Sequence, residues 1–359
     1  MINFTVGPVI SSKDILEIGG EQVPYFRTNE FSKIMLENEN MLLRAFKAPN
    51  NARVIFMTGS GTASMDAAVL NLFNEKDKLL VINGGSFGHR FCEICDTYDL
   101  NYTEVKCEPG KNITREQLYN YDNHNYTALL VNLDETSTGV LYDIELISEF
   151  CKKNNMFLLV DSISSFLCDE FNMGVLGVNA VITGSQKALA LAPGISVIVV
   201  DEKAIDRINN NSPKTYYFNL KSYLINGLRG QTPFTPAVGI LLQLHKRLSL
   251  IEENGGVESE ITLTKHRADF FRSLIKDLPF KMFTDTPSNA VTSLVPVDSN
   301  KSAYKLFEIL KDKYNIWICP NGGEFKEKIF RVGHIGNLTD NDYITLVDAI
   351  KDVIEKKLW

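Results

Sequence analysis

Between Met156 and Val200 three apolar, β-branched runs, Phe157 to Val160, Ala180 to Thr183 and Ile195 to Val200, alternate with small and polar residues. Runs of this length with such borders predict buried strands. Asp161 follows the first run and Lys187 the second, ahead of a small-residue stretch and Pro193-Gly194, which turn the chain back. In an α/β sheet ligands collect beyond the carboxyl ends of strands, so this acid and this amine are candidates for one site. Further strands are expected at Arg53 to Met57, Lys78 to Asn83 and Thr127 to Leu133. Helices are expected at Phe31 to Phe46, after Thr62, at Ile144 to Lys153, and after Pro236 through Leu241, Leu242, Leu244 and Leu248. Tyr216 to Asn226 is Tyr-rich and shows no clear period.

Beyond Asn254-Gly255-Gly256 the pattern becomes short and alternating. Helices at Ile261 to Leu278, Ser302 to Lys313 and Tyr343 to Lys356 are interleaved with strands at Ala290 to Val297, Ile316 to Cys319 and Ile329 to Gly333. The expected organisation is an N-terminal arm (1–20), a large domain (21–253) and a small C-terminal α/β domain (254–359).

With 359 residues, 44% of them hydrophobic, the chain can bury a sizeable core. A formal net charge of -7 without a basic stripe argues against nucleic acid or an anionic membrane as partner. No charged segment leads into an apolar one at the start, and no apolar run is long enough to span a bilayer, so a cytoplasmic protein is expected. The six cysteines are scattered, and Cys92 and Cys95 lack the second pair of a zinc site. We expect no metal and reduced, mostly buried thiols, with Cys151, Cys168 and Cys319 in the core.

Several stretches carry candidate chemistry. Thr58-Gly59-Ser60-Gly61-Thr62 feeds a helix, so its free N–H groups and hydroxyls form either a phosphate cradle or an ordinary cap. It is neither a P-loop nor G-x-G-x-x-G. Phe87, in Gly84-Gly85-Ser86-Phe87-Gly88-His89-Arg90, either stacks on a ligand or plugs the core, and His89 is left outside the catalytic set. The hydroxyls of Thr136, Ser137 and Thr138 either reach a ligand or cap the next helix. Arg331, in Phe330-Arg331-Val332-Gly333-His334-Ile335-Gly336, suits a carboxylate or phosphonate through its two-pronged fork, or pairs at the surface. Gly7-Pro8 is by itself a turn.

VDSISSF and GSQKALALAPG, together with GSGTASM, ETSTGV and FRVGHIGNL, resemble the class V branch of the fold type I pyridoxal-phosphate aminotransferases, over nearly the whole chain. The resemblance implies a large domain with a mostly parallel mixed sheet and a small C-terminal α/β domain. It implies that Lys187 forms the Schiff base with pyridoxal 5'-phosphate and later shuttles the proton, while Asp161 pairs with the pyridine nitrogen. Ser60, Gly61 and Thr62 would contact the phosphate, Phe87 would stack on the ring, and Ser137 would stand near it. Thr235, with Thr232 close by, would reach the phosphate of a neighbouring subunit, making a homodimer with active sites at the interface. Arg331 would grip the substrate's anionic group, and the Gly7-Pro8 arm would come close.

A small amine and a 2-oxo acid are the implied substrates. The stretches look closest to 2-aminoethylphosphonate:pyruvate aminotransferases, giving phosphonoacetaldehyde and alanine, within phosphonate metabolism. Alanine (or serine):glyoxylate or pyruvate transfer is the alternative. Cysteine desulfuration would need a Cys on a mobile loop, whereas Cys319 in IWIC is expected to be buried. A non-enzymatic cofactor-binding module would have no need of Arg331.

Overall fold

The computed structural model describes residues 1–359. One sheet of seven strands runs in the order Arg53–Thr58, Ile195–Val200, Ala180–Gly184, Phe157–Asp161, Ala128–Asn132, Lys78–Asn83 and Asn101–Lys106. Ile195–Val200 is antiparallel to both neighbours, and every other pairing is parallel. The inner strands are buried along their length because helices cover both faces, which is why they read as unbroken apolar runs. Within one strand the side chains alternate between two cores. Leu158 and Val160 join Phe46 and Phe166 on one face, while Phe157 and Leu159 join Phe73 and Ile182 on the other.

A second sheet of four antiparallel strands follows, in the order Phe280–Met282, Val291–Pro296, Phe330–Gly333 and Cys319–Pro320. Helices Gly256–Leu274, Ala303–Tyr314 and Asp340–Glu355 enclose a separate core with it, built on Phe271, Leu306, Phe330 and Tyr343. The architecture is the α/β fold with a mixed sheet that the sequence leads one to expect. No helix is long and apolar enough to cross a membrane.

The differences from expectation have local causes. The run Ile316 to Cys319 is divided between two sheets. Ile316–Trp317 pairs in parallel with Ile2–Asn3, whereas Cys319–Pro320 forms the edge of the four-stranded sheet. That edge position leaves Cys319 half-buried, not in the core, while the other five cysteines are buried and all six are free. The helix expected at Ile261 to Leu278 is Gly256–Leu274. Its polar first turn hides the start from an apolar period, and Pro279 excludes helix just before it. Asn101–Lys106 is an edge strand with little apolar content, and Leu220–Gly227 is a helix within the Tyr-rich stretch.

Candidate active site

Lys187 stands on the turn after the strand Ala180–Gly184. The turn is closed by Ala190 N–H to the Lys187 carbonyl (2.8 Å) and Leu191 N–H to the Ser185 carbonyl (3.0 Å). Ser185 Oγ donates to the Ala192 carbonyl at 2.7 Å, and Ala190 takes the left-handed conformation (φ 55°) that tightens the bend. The lysine is thereby buried at the carboxyl end of the sheet. There it lines a cavity together with Asp161, Ser60, Gly61, Thr62 and Phe87, each of which the sequence singles out.

Asp161 ends the strand Phe157–Asp161, and its Oδ1 accepts from Ile163 N–H at 2.8 Å. Burial pushes its carboxyl up to about 7, against the opposing pull of Ile163 N–H and the Lys187 amine. The Lys187 amine is pushed down, chiefly by burial, with Asp134 the main charge acting the other way and Arg331 reinforcing the shift.

Ser60 is the N-cap of helix Gly61–Leu72 but makes no side-chain cap bond, so its hydroxyl and the first-turn N–H groups face the cavity with capacity to spare. The turn is fastened to the antiparallel strand: Gly59 N–H donates to the Gly194 carbonyl (2.9 Å), and Ser196 Oγ to the Ser60 carbonyl (2.9 Å). The turn packs closely on Ile163: a Cβ on Gly61 would lie 2.4 Å from Ile163 Cδ1, so that side chain would have to give way.

Phe87 lies in the first turn of helix Ser86–Thr97, with the Lys187 amine 5.9 Å from its ring centre and the Arg90 guanidinium 4.9 Å from it. Glu135 holds this turn. Its carboxylate accepts from Phe87 N–H (3.2 Å), Gly88 N–H (2.9 Å) and Asn132 Nδ2 (2.9 Å). Ser137 belongs to the same support: its hydroxyl donates to Glu135 and accepts from Ser86 N–H at 3.1 Å. From this segment it is Thr136 that lines the cavity, with its hydroxyl 2.6 Å from Ser164 Oγ.

Arg331, buried in the second sheet, donates from Nη1 to the Thr136 carbonyl and from Nη2 to the Pro320 carbonyl, both at 2.8 Å. Its Nε has no partner. The arm passes over the lysine, for a Cβ on Gly7 (φ 131°) would lie 2.9 Å from Lys187 Cδ, while Pro8 is exposed. Gly333 N–H donates to the Phe4 carbonyl at 2.7 Å, tying arm and second sheet together. Thr232 and Thr235 lie outside the cavity. Thr232 is buried and donates to the Phe234 carbonyl (2.7 Å), and Thr235 is exposed.

Among the polar cavity residues, Arg90, Asp134, Ser164 and Gln186 are not singled out by the sequence, and Thr136 is raised there only as one of three hydroxyls of which Ser137 is chosen. Gln186 adjoins the lysine and Arg90 follows Phe87 by one helical turn, so spacing could have raised both. Asp134 directly follows the expected strand Thr127 to Leu133, the same strand-end signal that raises Asp161.

A family model for the class V aminotransferases matches residues 24–323. The chain belongs to that family. An uncharacterized aminotransferase of Helicobacter pylori is 30% identical over 341 residues, covering 94% of this chain and 89% of that protein. The alanine–glyoxylate aminotransferase of Rattus norvegicus is 26% identical, covering 97% and 86% respectively. The crystal structure of a subgroup IV aspartate aminotransferase from Thermus thermophilus superposes with a TM-score of 0.91 at 25% identity, over 99% of both chains. The protein is therefore a transaminase of fold type I that acts on an amine and a 2-oxo acid, and pyridoxal phosphate is its cofactor. The cavity fits that cofactor on its own evidence. It joins an uncapped helix N-terminus to a buried lysine and a buried acid, and Gln186 Oε1 is buried there without a partner.

Proposed function

We propose that Lys187 bonds the cofactor covalently and that Asp161 partners its ring nitrogen. Ser60, Gly61 and Thr62, joined by Arg90 and Gln186, would seat the phosphate, and Phe87 would stack on the ring. Ser137 serves in this reading by holding the Phe87 turn through Glu135, and Thr136 takes the place beside the ring. When bound, pyridoxal phosphate supplies an aldehyde that bonds an amine and a ring that takes up the electron pair released when the substrate carbon loses its proton. The protein's part is to deliver groups to that ring. A buried amine whose proton affinity is lowered could take the proton from the substrate carbon and return it two atoms away, across the nitrogen. An Asp161 carboxylate is stabilised by the positive ring nitrogen and in turn keeps that nitrogen protonated. The Gly7-Pro8 arm covers the lysine and limits water.

The substrate reading we favour is a small α-amino acid, alanine or serine, with glyoxylate or pyruvate as acceptor. The observation that carries it is the likeness to an alanine–glyoxylate aminotransferase over 97% of this chain, with Arg331, buried and fixed through two guanidinium nitrogens on carbonyl oxygens, as the partner of the anion. This leaves Nε and the remaining N–H groups to hold one carboxylate while the amine reaches Lys187. Transfer from 2-aminoethylphosphonate to pyruvate is the second reading, favoured by the ETSTGV and FRVGHIGNL stretches, since the same fork suits a phosphonate. The test is the visible absorption of the purified holoenzyme with alanine, serine and 2-aminoethylphosphonate, each followed by glyoxylate or pyruvate. Bleaching by alanine or serine that the oxo acid reverses upholds the first reading. Bleaching by the phosphonate alone moves the enzyme to the second.

We also propose a cytoplasmic homodimer built from an arm (1–20), a large domain (21–253) and a small domain (254–359). Tyr25, Tyr216, Ile225 and Leu228 are large and exposed, and Thr235 is exposed too, as an interface that brings Thr235 to a second copy requires, whereas Thr232 is buried within its own chain. Six unpaired thiols suit a reducing compartment. A monomer in sedimentation at micromolar concentration would refute the dimer.

A further inference from the structure

Asp134, at the cavity lining, belongs to a buried cluster that has no step assigned to it so far. Ser288 Oγ is 2.9 Å from Asp134 Oδ2 and 3.1 Å from Asp169 Oδ2, and Ala290 N–H donates to the same oxygen at 2.9 Å. All three side chains are buried. One hydroxyl has one proton to give, so it cannot donate to two carboxylates, and its second contact requires a proton on one of the acids. The surroundings decide which. Asp169 Oδ1 accepts from Asn289 N–H at 3.1 Å, and the Arg272 guanidinium stabilises its charge. Asp134 has Ser288 alone, and its Oδ1 has no partner. If Asp134 donates to Ser288 and Ser288 donates to Asp169, every contact around the hydroxyl is satisfied.

We propose that Asp134 is a positioning residue held as a neutral acid by the Ser288–Asp169 relay, so that Lys187 remains an uncharged amine whenever it is free. This rests on the reading of Lys187 given above. The groups facing Asp134 are Lys187, Asp169 across Ser288, and Glu135 beside it in the chain, while Asp161, Arg331 and Cys319 also act on the lysine. Burial and the Asp169 charge push the Asp134 carboxyl up to about 8, and burial takes Asp169 only to about 6, the same order as the hydrogen bonds give. An ionised Asp134 would add negative charge beside Lys187 and favour its ammonium form, which cannot take a proton from the substrate.

The test combines infrared spectroscopy with pH profiles on the holoenzyme. With carboxyl-labelled aspartate, the wild-type protein at neutral pH should show the carbonyl stretch of a protonated buried acid, lost in Asp134→Asn. Asp169→Asn gives Ser288 a donor in place of an acceptor, so Ser288 donates to Asp134, which can then ionise. The acidic limb of the amine half-reaction should move upward by about one pH unit, roughly tenfold slower at neutral pH. Asp134→Asn and the double variant should keep the wild-type limb. Absence of the band, its survival in Asp134→Asn, or an Asp134→Asn limb shifted as far as that of Asp169→Asn would overturn the proposal. Should Asp169→Asn fail to fold, the band and the Asp134→Asn profile still decide. Borohydride reduction and peptide mapping keep the two readings apart, since a cofactor attached elsewhere than Lys187 defeats the underlying one and leaves the band untouched.

Discussion

The site has two walls built by different means: the cavity lining carried by the large sheet, and Arg331, which lies outside that lining and touches it through the Thr136 carbonyl. On the large-sheet side, Lys187, Asp161 and the Ser60 turn project from strand ends whose register is set by continuous ladders. On the other side, Arg331 comes from a short strand and is aimed by two backbone carbonyls, those of Thr136 and Pro320. The first wall owes its geometry to a core that exists without any ligand. The second depends on the meeting of segments far apart in the chain, and the arm at Gly7 joins it to the lysine. In the proposed reading the rigid wall would hold the cofactor and could serve many substrates, while the stitched wall would tell one substrate from another.

The sharpest way to break this comparison is at Asp161. Asp161→Asn removes the charge proposed to partner the ring nitrogen but keeps the shape, and Ile163 N–H still finds an oxygen. Turnover should fall by about 10²- to 10⁴-fold with the fold and cofactor content nearly unchanged. Stopped-flow half-reactions and the absorbance of bound cofactor check both. An equal fall in cofactor content would mean that the acid serves binding and not the chemistry.

Arg331→Lys tests the second wall. Lysine offers a point charge where the arginine has a planar fork, and it cannot bond both carbonyls and hold a carboxylate in plane. We expect kcat/KM to fall roughly 10- to 100-fold, mostly through KM, with the rate of reaction towards an amine that lacks an anionic group, such as propylamine, little altered. A loss equal for both amines would show that Arg331 supports the fold of the cavity and not substrate recognition.

The same division explains what could be read from the sequence. The strands Phe157–Asp161 and Ile195–Val200 are evident as apolar runs because parallel layers bury both faces, and a strand end locates whatever residue follows it. That gave Asp161 and Lys187 together with the Gly-rich turn. Edges were harder, since Asn101–Lys106 and the divided Ile316 to Pro320 segment carry few apolar residues or take partners from the N-terminus. Which of the hydroxyls of Thr136, Ser137 and Thr138 lines the cavity is not legible, because a turn gives no periodicity with which to aim a side chain, and the half-burial of Cys319 depends on which strand takes the edge. Asp134 and Asp169 are 35 positions apart in the chain and meet only through Ser288, a contact with no local trace in the sequence.

Gly7→Ala sharpens the comparison at the point where the walls touch. The glycine has a φ of 131°, and an added Cβ would press on Lys187 Cδ at 2.9 Å. The local conformational cost is about 1–3 kcal/mol, which the arm can relieve by lifting away. Turnover should drop about tenfold while the melting temperature changes by only a few degrees. Faster loss of the enzyme's colour on addition of hydroxylamine would identify the arm as the cover of the lysine.

The smallest effect concerns the buried acids in the cofactor-free protein. Burial leads the causes that raise Asp134 to about 8, Asp161 to about 7 and Asp169 to about 6. In the unfolded chain these carboxyls titrate near 4. The native state therefore binds more protons than the unfolded state between those limits, and stability falls as pH rises from about 4 to about 8. Lys187 has the opposite sign, because its lowered affinity makes the native state bind fewer protons just below the ordinary lysine value, so its share rises with pH there. Melting temperatures measured from about pH 5 to about pH 8 should decline in the cofactor-free enzyme, and less steeply in Asp134→Asn, which has no proton to lose. Cofactor binding should flatten the Asp161 share, since a positive ring nitrogen lowers that carboxyl, and leave the Asp134 share in place. If Asp134→Asn and wild type decline in parallel, the trapped proton is not at Asp134, and the second wall bears on the lysine through contacts alone.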